Sequence, residues 1–121
     1  MLNNNKCILA YGLNSEELQG LEKIGVKIVE VTAEMTQMSL DEILQGLKFK
    51  TFDPNPIDAK VIILNNFSDN EIRTKVSLIR STVNDCILAM PTANNRAWKF
   101  NYLTDHLVKE REWHRNNQKG R

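Results

Sequence analysis

The sequence predicts an α/β domain: a small four-stranded, mainly parallel sheet, ordered 2-1-3-4, with helices on both faces. Three observations carry this. Short apolar runs alternate with helical patterns along the chain. Helix starts share one grammar, a cap residue with Glu three positions on and flanking apolar residues. The second half of the chain then repeats the order of the first. Alternating strands and helices imply right-handed crossovers and a largely parallel sheet. A chain of 121 residues is one domain's worth, and 41% hydrophobic residues can build a core.

The first apolar run, CILAY (7–11), ends at Gly12 and reads as a buried strand. A helix follows, with Asn14 as cap, Glu17 closing the box and Gly25 as the stop. Leu13 and Leu18 are spaced as a hydrophobic staple. VKIVEV (26–31) is the second strand. In MSLDEILQGLK, Ser39 caps, Glu42 closes the box, and Met38 and Ile43 staple. Leu40, Ile43, Leu44 and Leu47 make one apolar helix face. Pro54 and Pro56 exclude helix and central strand, so 49–59 is expected to be a linker. KVIILN (60–65) is the third strand. A helix capped by Ser68 and Glu71 and stapled by Phe67 and Ile72 follows. DCILAM (85–90) is the fourth strand, and WKFNYLTDHLVKEREW supplies the last helix. There Trp98 stands where Met38 does, with Leu103 as its expected staple partner.

Ile8, Leu13, Glu17 and Leu18 are matched by Ile62, Phe67, Glu71 and Ile72, 54 residues later. Ile28 is matched by Ile87 at 59, and Met38 and Ile43 by Trp98 and Leu103 at 60. The match reads as an internal duplication within one domain: repeat one 6–48, linker 49–59, repeat two 60–113 and a basic tail 114–121. Two β-α-β units set back to back would bring the loops after strands one and three together at a switch point.

VIILNNFSDNEI, followed by CILAMPTANNRAWKFNYLTDHLVKER, resembles the bacterial and archaeal family known as domain of unknown function 3783. The family's pattern is a strand ending in Asn-Gly-Phe-Ser/Thr, then an acidic helix start. A second strand leads into Thr-Pro-x-Asn-x-x-Trp and a leucine-spaced, Glu-rich helix. Asn65, Phe67, Ser68 and Glu71 match the first motif; Asn95, Trp98, Leu103, Leu107 and Glu110 match the second. Asn66 replaces the family's Gly, and Pro91-Thr92 reverses its order. Asn tolerates a left-handed backbone better than most residues. The resemblance covers about residues 60–112, leaves the first repeat divergent, and implies no activity.

Known chemistry finds little purchase. There is no GxxxxGK[ST], GxGxxG, nucleophile elbow or Cys-x-x-Cys, so no cofactor and no catalytic residue is assigned. Two cysteines and two histidines at this spacing make no zinc site. Cys7 and Cys86 lie in apolar runs, as reduced buried thiols of a cytoplasmic protein would. His106, one turn from Leu103, is expected to flank the last helix's buried face. No apolar run approaches the ~18–20 residues of a membrane span, and the first residues lack signal-peptide grammar.

The candidate ligand site is the turn 90–98, where Thr92, Asn94, Asn95 and Arg96 offer donors suited to an anion or carboxylate. Tyr11, Asn65, Asn66 and Ser68, in the loops after strands one and three, are secondary candidates. Capping is the competing role for all of these. A net charge of +1 argues against general nucleic-acid affinity, although the C-terminal stretch is basic and carries Trp113. The expectation is a non-enzymatic cytoplasmic module acting by protein interaction or small-ligand sensing. Homodimerisation would cover open sheet edges. The alternative is a small enzyme or anion-binding protein that uses the strand-end loops.

Overall fold

Four apolar segments pair into one sheet: β1 (Cys7–Tyr11), β2 (Lys27–Val31), β3 (Val61–Asn65) and β4 (Ile87–Ala89). Their order is β2-β1-β3-β4, as the sequence predicted. The computed structural model describes residues 6–47 and 57–119. Pro54, Pro56 and most of the expected linker lie outside those residues. Every residue of β1 and β3 is buried, because these central strands carry helices on both faces. Ile8, Leu9, Ile62, Ile63 and Ile87 are in the core, whereas Ile28, Val29 and Leu88, on the outer strands, are half-buried.

The outer pairs, β1–β2 and β3–β4, are parallel, and the central pair β1–β3 is antiparallel. Tyr11 therefore lies opposite Val61, and Cys7 opposite Asn65. This corrects one expectation. The loops after β1 and β3 leave opposite ends of the sheet and share no switch point. Strands apolar on both faces present the same pattern in either direction, so the apolar pattern alone does not choose.

The period-2 alternation of each strand sorts the core into two layers. Cys7, Leu9, Tyr11, Val61 and Ile63 pack under α2 (Leu40–Leu44) and α4 (Phe100–Lys119). Ile8, Ala10, Ile62 and Leu64 pack under α1 (Ser15–Glu22) and α3 (Asp69–Thr82). Asn14–Glu17, Ser39–Glu42 and Ser68–Glu71 all form reciprocal capping boxes. Each satisfies two of the amide donors that a helix start leaves open. The basic C-terminal stretch continues α4 as far as Lys119.

Contacts across the centre are reciprocal. Leu9 pairs with Ile63, 54 residues on, while Ile8 pairs with Leu64 and Ala10 with Ile62. The Leu40 amide donates to the Trp98 carbonyl at 2.9 Å, and the Phe100 amide to the Met38 carbonyl at 2.7 Å. Lys60 Nζ binds Glu17 at 2.7 Å, and Lys6 Nζ binds Glu71. Glu17 and Glu71 are thus each held by the lysine just before the start of the other half's first strand. Ile8 pairs with Ile28, and Ile62 with Leu88.

Both central strands turn into their helices through a left-handed residue, Gly12 at φ 79° and Asn66 at φ 67°. They differ in surroundings. A Cβ on Gly12 would stand 2.2 Å from the Ala59 carbonyl oxygen, whereas Asn66 is exposed. Gly12→Ala should therefore cost more than about 3 kcal/mol, from strain plus overlap. Asn66→Ala should cost less, with about 1 kcal/mol of it the left-handed penalty. Urea unfolding of both variants checks this, and equal costs would contradict the close approach at Ala59.

Candidate functional site

Two crevices open at the strand ends, one at each end of the sheet. The first, about 450 Å³, lies beyond β1 and β2 and is lined by Tyr11, Gly12, Glu30, Thr32 and the segment 57–59. The second, about 240 Å³, lies beyond β3 and β4 and is lined by Asn65, Asn66, Phe67, Met90, Pro91 and Arg96. The antiparallel central pair separates them. Tyr11 therefore does not join the other candidates.

Tyr11 is buried, with its ring edge-on to Phe100 at 5.4 Å and its hydroxyl donating to the Ile57 carbonyl at 2.8 Å. That bond holds the chain entering β3 against the end of β1. Asn65 is buried, and its amide nitrogen lies 4.0 Å from Cys7 Sγ, its partner across the sheet. Burial pushes the Cys7 thiol up, and also the Cys86 thiol, so both favour the inert protonated form. Ser68 accepts from the Glu71 amide at 3.2 Å and is engaged in capping.

The turn after β4 is closed by its own side chains. The Thr92 amide donates to Asn95 Oδ1 at 2.7 Å, and the Asn95 amide to Thr92 Oγ1 at 3.0 Å. Asn95 Nδ2 reaches the Met90 carbonyl at 3.3 Å, folding the loop back on the strand end. This box starts a 3₁₀ turn, Asn95–Ala97, ahead of α4. Asn94 is exposed and does not line the crevice. Arg96 does line it, and its Nη1 lies 3.3 Å from Asp41 Oδ1 on α2. Trp98 is half-buried and packs on the core layer that includes Leu103. Its outer face meets Tyr102 at 5.0 Å and His106 at 5.4 Å, edge to face. His106 is exposed, beside the indole rather than against the core.

The structure thus brings Asn65, Asn66 and Arg96 together, with Thr92 and Asn95 shaping the turn beside them. Sequence reasoning missed Asp41, whose partner Arg96 lies 55 residues away, and the crossed pairs Lys60–Glu17 and Lys6–Glu71. The matched lysines six and sixty were the available signal. Burial pushes the Glu17 carboxyl up, but hydrogen bonds from Lys60 and the Asn14 amide outweigh it and the pKa falls. Glu71, hydrogen-bonded by Lys6 and the Ser68 amide, is lowered to about 2. Among the described residues no group of three His, Cys, Asp or Glu could hold a metal ion. No helix among them is long and apolar enough to cross a membrane.

Fold and site define a small α/β protein with a mixed sheet and a crevice at each end of it. Residues 60–113 match the model of the family described as Domain of unknown function (DUF3783). No curated protein and no solved structure matches the chain.

Asn95 carries two side-chain hydrogen bonds inside a nearly closed turn. Asn95→Ala should cost about 2 kcal/mol, near 1 kcal/mol per bond, and Thr92→Val about 1 kcal/mol. Chemical denaturation measures both, and unchanged stability would mean that these groups are spare.

Proposed function

We propose that the chain is a non-enzymatic cytoplasmic module, assembled by duplicating one β-α-β-α unit, that acts by protein contact or by sensing a small ligand. One observation carries the reading. The polar side chains that mark the family's segment are engaged in holding the fold: Ser68 and Glu71 in a cap, Asn95 in a turn, Asn65 beneath the sheet end. Trp98, Leu103 and Leu107 belong to the core layer under α4. Groups spent in this way are poorly placed to move protons or attack a substrate, because their lone pairs and donors already have geometric duties. The half-exposed pair of Trp98, just ahead of α4, and Tyr102 on α4 is of the residue types that dominate protein contacts. The edge strand β2 leaves a second copy of the chain as a further candidate partner.

A second reading has its own support: the Arg96 guanidinium lines the crevice beyond β3 and β4. Its partner Asp41 is 43% exposed, so a carboxylate ligand could displace it at modest cost. An anion-binding protein, or a small enzyme, would use this crevice.

Thermal-shift screening of the full chain against metabolites separates the two readings. A ligand at 100 times its Kd adds about 2.7 kcal/mol, several degrees for a domain of this size. The first reading predicts that no compound loses its stabilising effect in Arg96→Ala and that none is chemically altered on incubation. A compound that fails either condition would transfer the function to the crevice.

A further inference from the structure

The C-terminal half of α4 overlies the β4 edge, and between them runs a groove of about 290 Å³ away from both crevices. Arg111, His114 and Arg115 reach it from α4, and Arg80 from the last turn of α3. Asp85 and Glu110 are the carboxylates among its lining residues. Three guanidiniums against two carboxylates leave the groove positive while the whole chain carries only +1.

Asp85 organises the cationic side. It holds a left-handed backbone at φ 55°, in the loop position that Gly25 occupies before β2. Arg115 Nη2 lies 2.7 Å from Asp85 Oδ1 and Arg111 Nη1 lies 3.5 Å from the same oxygen. The Arg111 side chain is only 25% exposed, and its Nε–H is buried with no acceptor among the described residues. A guanidinium is built for two-pronged recognition, and here the Nε–H prong has no acceptor among the described residues.

We propose that this groove binds a phosphate group, free or carried as a phosphomonoester on a small molecule. A phosphate dianion brings nearly two negative charges and several acceptor oxygens, enough for the Arg111 Nε–H and the neighbouring Arg115 and Arg80 together. A small carboxylate fits less well, having a single charge for three arginines. The inference is independent of the reading above, since it uses neither the strand-end crevices nor the Trp98 face.

The test follows the arginine Nε–H resonances of the full chain by NMR while inorganic phosphate is added at constant ionic strength, with chloride as control. Saturable movement of the Arg111 Nε–H with phosphate, absent with chloride, is expected. Arg111→Lys keeps the charge but removes the fork, and should weaken binding at least tenfold at unchanged melting temperature. Asp85→Asn removes the competing carboxylate and should tighten binding severalfold. Glycerol phosphate binding tighter than phosphate would mark an organic phosphomonoester as the ligand, and equal affinity would mark free phosphate. A response identical to that of chloride, or wild-type affinity in Arg111→Lys, would overturn the proposal. So would an oligonucleotide that saturates the same resonance at lower concentration with a steep salt dependence, the behaviour of a nucleic-acid surface.

Discussion

The antiparallel pairing of β1 with β3 is the constraint on which the rest of the molecule depends. Ten buried residues meet in that ladder, with Leu9 beside Ile63 at its centre. Once the pair is antiparallel, each half's strand-to-helix turn must leave a different end of the sheet. The same step brings Lys60 to Glu17 and Lys6 to Glu71, tying each helix start to the opposite half. It also sets the starts of α2 and α4 against each other, where Met38 and Trp98 carbonyls accept from Phe100 and Leu40. Most of the apolar burial, and so most of the driving force for folding, lies within about two layers of this ladder.

Much of this architecture was legible because it is written in short-range chemistry. Asn14, Ser39 and Ser68 form their boxes with Glu17, Glu42 and Glu71, since a cap and its partner lie within one turn. Gly12 and Asn66 turn left-handed where the strands end, as the permissive residues there implied. The direction of the central pair was not legible. CILAY is apolar throughout and VIILN is apolar up to its terminal Asn65, so neither strand has a polar face to betray which way it runs.

Of the candidate site, residue types were legible but their employment was not. Thr92, Asn94, Asn95 and Arg96 look alike in sequence as polar turn residues. Tertiary geometry divides them: Thr92 and Asn95 close a box, Arg96 reaches α2, and Asn94 faces solvent. Tyr11 and Asn65 end matching strands yet serve opposite ends of the sheet. The arginine groove escaped notice because its parts are separated by 35 residues in sequence, from Arg80 to Arg115. Only the docking of α4 on the β4 edge assembles it.

The account stands on the direction of the central ladder, and backbone NOE spectroscopy of the labelled full chain tests that directly. The account predicts contacts joining Cys7 to Asn65 and Tyr11 to Val61, with Leu9 beside Ile63 at the centre. Contacts joining Cys7 to Val61 and Tyr11 to Asn65 would mean a parallel pair. That result would place both strand-end loops at one end of the sheet and contradict the separation of the two crevices.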